Sequence, residues 1–321
     1  MRALLLAALF GAAPARAAFN ANAAGTSAGE FLKMGGDARG AAMGQAMTAA
    51  AEDASALYYN PAGLSQARSR QGTASQGFLY QDVAVSFAAY AHPVQPAVRP
   101  RRRYLRPSGL GTLAVGILYL NAGGISEVDN TGVPTGGEFT PRDVAAMVGW
   151  GSTLTDILDL GMTLKYVDSR IQSASKTGAV DAGARLRLDV LGLPYTAAVV
   201  ARHMGGRLRY HQQSDPLPVD VRFGQTVRPL PQWLLSMDLA FPRDNAPFPA
   251  FGTEFSVPIE KDLTGFMRMG YDGRISPGDL DGMAGFSVGL GAGIKNWSLD
   301  YGWVPYGSLG HTHRFSVSAK F

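Results

Sequence analysis

The sequence of 321 residues contains no cysteine, which excludes disulfide bonds and thiol chemistry. Charged residues make up only 17% of the chain. After residue 17, no apolar run reaches the ~18 to 20 residues that a membrane-spanning helix requires. A disulfide-stapled domain, a thiol enzyme and a helical membrane protein are therefore excluded.

The first 17 residues have the pattern of a signal peptide. A basic start precedes an apolar run over 3–13, and Ala15, Arg16 and Ala17 form a small-residue cleavage pattern. We expect the mature chain to begin near Ala18 and to leave the cytoplasm. A buried N-terminal helix is the alternative, but it would leave the cleavage pattern unexplained.

The charge balance of the mature chain is close to neutral. Removing the leader takes away two arginines, which leaves 27 basic residues against 25 acidic ones. Such a small excess produces no field that would attract nucleic acid. Two classes remain for an exported chain of this composition: a soluble periplasmic domain, or a β-barrel, whose strand signals are individually weak.

From residue 72 to the end, segments of about ten residues alternate between apolar and polar positions, as in a transmembrane barrel. In the last segment, Phe315 and Val317 share one face, whereas Arg314 and Ser316 lie on the other. Charges of both signs would be costly inside a soluble sandwich, but in a barrel they face a wet or plugged lumen. The polar positions predicted to face the lumen are Asp181, Arg185, Arg187, Asp220, Arg222, Asp238, Arg268, Asp300 and Arg314.

Counting these segments predicts an all-β fold, a transmembrane antiparallel β-barrel of about fourteen strands. The predicted strands are 72–80, 82–92, 111–121, 142–152, 158–171, 179–189, 196–205, 219–228, 233–241, 250–258, 264–273, 283–293, 295–304 and 312–321.

The links between these strands predict the orientation of the barrel. An even strand count places both barrel ends in the periplasm, where bacterial barrels have short turns. Alternate links are short, and most of the others are longer, notably 122–141 and 206–218. The link 93–110 is long although it falls on the short-turn side, and it carries Arg101, Arg102, Arg103 and Arg106. A solvated basic loop and a partner-docking loop are both compatible with it.

The segment before the first strand differs from the barrel and predicts a plug. A barrel of about fourteen strands encloses more space than its wall side chains fill. Residues 18–71 are rich in alanine and glycine, with apolar residues at helix-compatible spacing and Asp53 as a cap for a short helix that Pro61 would stop. We therefore expect three regions: a signal peptide at 1–17, an N-terminal helical hatch in the lumen at 18–71, and an outer-membrane barrel at 72–321.

Several motifs resemble those of one protein family. The segments SAGEFLK at 27–33 and DASALYYNPAGL at 53–64 resemble the N-terminal signature of the PorV/PorQ family, which belongs to the wider group of FadL-like outer-membrane β-barrel proteins. Further similar segments occur at 41–44, 164–167, 214–218, 298–301, 305–310 and 312–316. The likeness covers nearly the whole mature chain, although the basic 93–110 link is less typical.

The resemblance implies a fourteen-stranded barrel with an N-terminal hatch, in agreement with the independent strand count. It implies that the terminal Phe321 is the aromatic residue recognised by the barrel-assembly machinery. FadL-like proteins import long-chain fatty acids and other hydrophobic compounds, whereas the PorV branch serves type IX protein secretion. Expected partners are thus outer-membrane lipid, the assembly machinery, and either a hydrophobic ligand or an exported protein.

Catalytic and metal motifs are weak in this sequence. Residues 285–289 match G-x-S-x-G, but a hydrolase needs a strand, turn and helix there, and this segment continues as a strand. The glycines of 289–293 lack the helix and the acidic partner of a dinucleotide site. His311 and His313 share a strand face without a third ligand, and Asp279 and Asp281 indicate a solvated loop more than a calcium site. We expect no enzyme activity, no metal and no cofactor.

Two function hypotheses remain. The first is a passive transporter or conduit for hydrophobic small molecules such as long-chain fatty acids, with Asn60, Pro61, Ala62 and Gly63 as the gate of the hatch. The same turn is equally compatible with a purely structural role as the end of the preceding helix. The second hypothesis is an outer-membrane component of a protein secretion system that binds exported proteins.

Overall fold

A computed structural model of the protein describes residues 23–80, 83–94, 110–129, 131–171, 173–210, 213–275 and 283–321. The predicted signal peptide, the four arginines of the 93–110 link, and Asp279 and Asp281 lie outside the described residues. Among the described residues, no helix combines the length and apolar composition needed to cross a membrane.

The described residues form eighteen strands. They are β1 (Gln71–Phe78), β2 (Ala84–Pro93), β3 (Thr112–Asn121), β4 (Ile125–Val128), β5 (Pro134–Phe139), β6 (Arg142–Thr153), β7 (Leu158–Arg170), β8 (Ala174–Val190), β9 (Leu193–Gly205), β10 (Arg207–Tyr210), β11 (Gln213–Pro216), β12 (Asp220–Leu230), β13 (Trp233–Pro242), β14 (Phe248–Glu260), β15 (Leu263–Asp272), β16 (Phe286–Ile294), β17 (Trp297–Pro305) and β18 (His311–Lys320).

Fourteen of these strands close into one antiparallel barrel, which confirms the predicted fold class. The barrel closes between β1 and β18, in register from Gln71 opposite Lys320 to Phe78 opposite His313. Strands β4–β5 and β10–β11 are separate two-stranded hairpins. The sequence analysis did not predict these hairpins, because each lies inside a long link and its four- to six-residue strands are too short to show a clear alternation.

The two ends of the barrel differ in the length of their links. At one end, which we call the turn end, the links 191–192, 231–232, 261–262 and 295–296 are two-residue turns. The opposite end, the loop end, carries both hairpins and the links 243–247 and 306–310. The first residue of β1 and the last residue of β18 both lie at the turn end. The even strand count predicted that the barrel starts and finishes at the same end.

Side chains alternate between the two faces of the wall. On β18, Phe315 is 50% exposed, whereas the neighbouring Ser316 is 5% exposed and hydrogen-bonds inside the barrel. The same parity places large apolar side chains on the outside of nearly every strand, for example Val115 and Ile117 on β3 and Leu290 on β16. A continuous apolar outer surface on this scale is unfavourable in water and fits a hydrocarbon environment.

The N-terminal segment occupies the inside of the barrel. It contains a 3₁₀ turn at Glu30–Lys33, the short helices α1 (Ala38–Ala42) and α2 (Ala56–Tyr59), and a 3₁₀ helix at Pro61–Gln66. We call residues 23–70 the hatch. The helices are shorter than the apolar spacing suggested, and much of the hatch has irregular backbone.

Capping residues fix these short helices. The Asp37 carboxylate accepts a hydrogen bond from Gly40 N at 3.0 Å and so caps α1. Asp53 does not cap α2 directly, because its carboxylate accepts from Ser55 N and the Ser55 hydroxyl instead. Ser55 is the N-cap residue of α2.

Glycines on the inner face let the wall meet the hatch backbone. A Cβ at Gly270 would lie 2.1 Å from Gly44 N, and a Cβ at Gly161 would lie 2.2 Å from Pro61 C. A Cβ would also meet hatch backbone at Gly151, Gly224, Gly252 and Gly302, and it would meet a hatch side chain at Gly116, Gly149, Gly183 and Gly289. The hatch therefore packs against bare strand backbone on most sides of the barrel.

Serines of the wall hydrogen-bond to the hatch backbone. Ser236 donates to Ala46 O, Ser287 donates to Ala42 O, and Ser316 accepts from Ala38 N. Irregular backbone buried away from water requires such partners, because an unpaired buried polar group costs about as much as a lost hydrogen bond. The wall thus supplies the partners that a longer helix would have found within itself.

A glycine substitution tests this packing. We expect Gly270→Ala to destabilise the barrel by about 1–3 kcal/mol, since the new methyl group would overpack against hatch backbone. Gly72→Ala on β1 is the matched control, because its Cβ would meet its nearest atom, Ala89 O, at 3.6 Å. The measurement is the temperature at which the folded barrel loses its compact mobility on an unboiled SDS gel. Equal temperatures for the two variants would contradict the proposed close contact.

Candidate functional site: the hatch and the lumen

A network of four charged side chains joins α1 to the wall. Glu254 on β14 accepts from Arg39 Nε at 2.7 Å and from Arg268 Nε at 2.6 Å. Arg268 also reaches Asp300 Oδ1 on β17 at 2.6 Å. Two positive and two negative groups balance one another, which a low-dielectric site requires.

A second network holds the following part of the hatch. Asp220 on β12 accepts from Arg202 and from Arg222, the latter at 2.7 Å. Arg222 also donates to Gln45 O at 3.4 Å. Asp238 on β13 accepts from the backbone N of Thr48 at 3.0 Å and from its hydroxyl at 2.6 Å. The hatch between residues 45 and 48 is therefore tied to two neighbouring strands.

A third cluster is buried under the hatch on β7, β8 and β9. Lys165 and Asp181 form a fully buried ion pair at 2.6 Å. Asp181 also accepts from His203 N at 2.8 Å, and Lys165 Nζ lies 3.1 Å from His203 Nδ1. His203 has a φ of 58° and lies where the β8–β9 register shifts. A left-handed conformation is uncommon for a residue with a side chain, so the surrounding contacts hold this bulge.

The remaining predicted lumen residues have separate partners. Arg185 is fully buried and donates to Ala49 O at 3.0 Å and to Glu52 at 2.8 Å. Arg314 donates to Met34 O at 2.9 Å. Arg187 pairs with Asp159 at 3.0 Å, within the wall at the turn end. All nine predicted lumen positions thus face the interior.

The turn at 60–63 is enclosed on all sides. The fully buried Asn60 donates from Nδ2 to Thr48 O at 2.9 Å and accepts from Ala62 N at 3.1 Å. A Cβ at Gly63 would lie 2.1 Å from Ala51 O. Pro61 abuts the backbone of Gly161, as described above. The four residues therefore fit against two other parts of the hatch and the wall.

Apolar side chains of the hatch and of the loop end are buried together. Phe31 and Leu32 of the hatch, Leu208 of β10 and Leu217 after β11 belong to one hydrophobic cluster, and the side chains of Leu32, Leu208 and Leu217 lie beside Gly29. We call these four residues the apolar cap. A backbone hydrogen bond of 2.9 Å from Ala28 N to Pro216 O joins the two segments.

Polar contacts surround the apolar cap. Lys33 pairs with Asp244, in the link after β13, at 2.8 Å, and Arg274 donates to Lys33 O at 2.8 Å. Burial alone would raise the pKa of the Asp244 carboxyl, but the hydrogen bond and charge of Lys33 hold that pKa below its usual value. The Tyr58 hydroxyl donates to Leu32 O at 2.8 Å and accepts from Gly35 N, so α2 also supports the cap.

A polar cavity opens at the turn end. It has a volume of about 440 Å³ and is lined by Asp37, Asp53 and the Arg39–Glu254–Arg268–Asp300 network, with Lys261, Lys295 and Lys320 toward the turns. The rest of the hatch lies between this cavity and the apolar cap. The turn end of the lumen thus holds a polar cavity, whereas at the loop end four buried apolar side chains lie together among charged groups.

The residues of the remaining sequence motifs make contacts that hold the fold together. Ser287, in the G-x-S-x-G match, lies in β16 and hydrogen-bonds to the hatch at Ala42 O and Gly44 N. His313 faces outward and lies 2.8 Å from the Tyr301 hydroxyl. Among the described residues, no group of three or more His, Asp or Glu side chains could hold a metal ion. Asp189 accepts from Gly192 N at a turn.

Comparisons with known proteins identify the fold. No protein-family model matches the chain, and no curated protein is significantly similar to it in sequence. Among solved structures, the toluene transporter TbuX of Ralstonia pickettii is similar with a TM-score of 0.55 and 13% identity, over 89% of this chain and 98% of the transporter. The toluene transporter TodX of Pseudomonas putida gives 0.54 and 11%, over 89% and 96%. A FadL homologue of Pseudomonas aeruginosa gives 0.50 and 11%, over 89% and 98%.

These similarities show that the chain has the fold of FadL-family outer-membrane barrels. At such low identity they establish the fold alone. The PorV/PorQ resemblance of the sequence motifs stays a prediction.

Arg39→Met tests whether the charge network anchors the hatch. We expect a loss of stability on the order of 3 kcal/mol, because Glu254, Arg268 and Asp300 would be left with an unbalanced buried charge. Lys176→Met is the control, since Lys176 pairs with Asp168 at 3.5 Å while 57% exposed, and such pairs contribute about 1 kcal/mol or less. Unfolding in urea measures both variants. Adding Glu254→Gln to Arg39→Met should recover part of the loss, and equal losses for the two single variants would contradict the anchoring role.

Proposed function

We propose that the chain is an outer-membrane conduit for hydrophobic small molecules, with the loop end toward the outside and the turn end toward the periplasm. The apolar cap is the observation that carries this proposal. An apolar cluster of Phe31, Leu32, Leu208 and Leu217 near the barrel mouth offers a hydrophobic solute a favourable environment, since burying apolar surface stabilises by about 25 cal/mol per Å². The shared fold with two toluene transporters supports the same class of cargo.

The route of a solute through the protein follows from which parts of the barrel are closed. In the described wall, each of the fourteen strands is hydrogen-bonded to both neighbours, and β8 and β9 pair on both sides of the bulge at His203. A solute entering at the apolar cap therefore has to pass the hatch to reach the polar cavity. In this mechanism the cap segment, residues 23–36, moves first because it lies at the loop end, and its movement breaks the Lys33–Asp244 ion pair and the hydrogen bonds that hold it. The turn at 60–63 is the inner gate.

Uptake measurements test the conduit. The chain would be expressed in a bacterial strain deleted for its own hydrocarbon and fatty-acid channels, with radiolabelled toluene and oleate as probes. We expect uptake of at least one probe to rise several-fold above the empty vector. In the source organism, deletion of the gene should leave the surface proteome unchanged. Loss of a set of exported proteins would instead favour the secretion hypothesis and contradict the conduit.

A reversible crosslink tests whether the hatch must move. Because the chain lacks cysteine, Ala41→Cys with Gly302→Cys introduces a single pair, whose Cβ atoms would lie about 3.5 Å apart, within disulfide range. We expect the oxidised double variant to lose uptake and a reductant to restore it. The single variants control for the substitutions themselves, and because a Cβ at Gly302 would lie 2.8 Å from Ala38 O, the reduced double variant must first run as a folded band on an unboiled gel. Undiminished uptake in the oxidised protein would show that solutes bypass the centre of the hatch.

Pro61→Ala tests the inner gate separately. Proline fixes its own φ, and its loss lets the turn sample other conformations, so we expect an altered uptake rate with a barrel that still runs as a folded band on an unboiled gel. Ser65→Ala, later in the same 3₁₀ helix, serves as the control. If uptake by Pro61→Ala equals that of the unaltered protein, the turn is a structural element and not a gate.

A further inference from the structure

A groove of about 520 Å³ lies on the membrane-facing side of the wall, across β9 and β12 to β16. The residues that line it are mostly apolar, and several are among the exposed outward side chains of these strands. Its principal side chains are Leu235, Met237, Phe251, Met269, Tyr271 and Phe286. A concave apolar surface with two methionines adapts readily to the shape of a bound molecule.

The floor of the groove is strand backbone. Gly252 and Gly270 line it, and on their inner side a Cβ would meet the hatch, 2.6 Å from Met43 O and 2.1 Å from Gly44 N. At these two positions the wall has no side chain of its own. The strands can therefore lie close to the hatch. This inward position leaves space on the outer face of the wall, between the larger side chains that flank the two glycines.

One wall of the groove carries a polar pair. The Tyr195 hydroxyl donates to Gln225 Oε1 at 2.6 Å, while Gln225 Nε2 lies 3.6 Å from Met237 Sδ. A thioether is a weak acceptor, so the amide N–H groups of Gln225 are poorly satisfied. Both Gln225 and Tyr195 line the groove.

Gln225 lies midway along its strand. It is the sixth of the eleven residues of β12, and at about 3.3 Å per residue each strand end is some 16 Å away along the strand. An outward amide at this depth faces hydrocarbon, where an incompletely bonded donor costs about 1–3 kcal/mol. A bound acceptor would remove that cost.

We propose that this groove binds a hydrophobic small molecule that carries a hydrogen-bond acceptor oxygen, as a ketone, phenol or alcohol does. The oxygen accepts from the Gln225 amide, and the apolar body packs on Met237, Phe251 and Met269. A phospholipid fits less well, since its oxygens lie at the interface and its acyl chains offer no acceptor. The site rests on contacts of the wall alone and is independent of the proposed transport.

Benzophenone is the probe for this site, because it combines two apolar rings with a single carbonyl oxygen. On irradiation its excited carbonyl abstracts a hydrogen atom from a nearby C–H bond, and the two radicals join, so the protein gains the mass of the whole probe. The purified protein in phosphatidylethanolamine nanodiscs would be irradiated, digested and analysed by mass spectrometry. Label is expected at Met237 and Met269.

Two further methionines provide internal controls. Met162 on β7 is 45% exposed and Met267 on β15 is 52% exposed, against 60% for Met269, and neither control lines the groove. Simple exposure would label Met267 about as much as Met269. We expect labelling of Met237 and Met269 to exceed that of both controls, and to saturate with probe concentration.

The polar contact is tested in two ways. Gln225→Leu should lower labelling at Met237 and Met269 about fivefold, the effect of losing one ordinary hydrogen bond, while the controls are unchanged. With the unaltered protein, fluorenone should compete with the probe, and fluorene, which lacks the oxygen, should not.

Four results would overturn the proposal: equal labelling of all four methionines, equal competition by fluorene, labelling in detergent that disappears in nanodiscs, or burial of the groove in a dimer. The third would mean that lipid acyl chains fill the groove.

Discussion

A fourteen-stranded barrel encloses more volume than its own side chains fill, and the whole structure depends on how the hatch occupies that volume. Filling it with a regular helix would satisfy the hatch backbone internally. This chain instead threads mostly irregular backbone through the lumen, so the wall must both approach it closely and supply hydrogen-bond partners. Glycines such as Gly270 allow the close approach, and serines such as Ser287 supply the hydrogen bonds.

The charged residues follow from the same constraint. The outer face is mostly apolar, so most charged side chains in the middle of the wall turn inward, where they must be paired; the exposed Lys176–Asp168 pair lies near the strand ends at the loop end. Asp220 forms ion pairs with two arginines, and so does Glu254. Several pairs include a hatch group, for example Arg39 with Glu254 and Lys33 with Asp244. The electrostatic neutrality of the lumen therefore depends on the hatch being in place.

The barrel could be predicted well because each strand carries its own evidence. Alternation along 312–321 or 219–228 assigns the two faces of the wall without any tertiary information. The partners of the inward residues were less accessible, since Lys165, His203 and Glu254 become informative only once neighbouring strands are aligned. The alternation within 250–258 would have marked Glu254 as an inward residue. The bulge at His203, in contrast, shifts the register of its strand in a way that alternation does not reveal. The two hairpins and the apolar cap were not predicted, because they depend on long-range contacts between short segments.

The pairing of β1 with β18 has a consequence for biogenesis. The hatch is synthesised first, yet its surroundings are complete only when the C-terminal strand has been made and has closed the cylinder. Until then, the ion pairs and the serine contacts on late strands are missing, and the first strand has an open edge. Because loop closure between such distant segments carries a large entropic cost, folding of this topology is slow. The N-terminal segment must therefore be held or kept from aggregating during most of insertion, and the final seam, between residues 71–78 and 311–320, forms directly beside it.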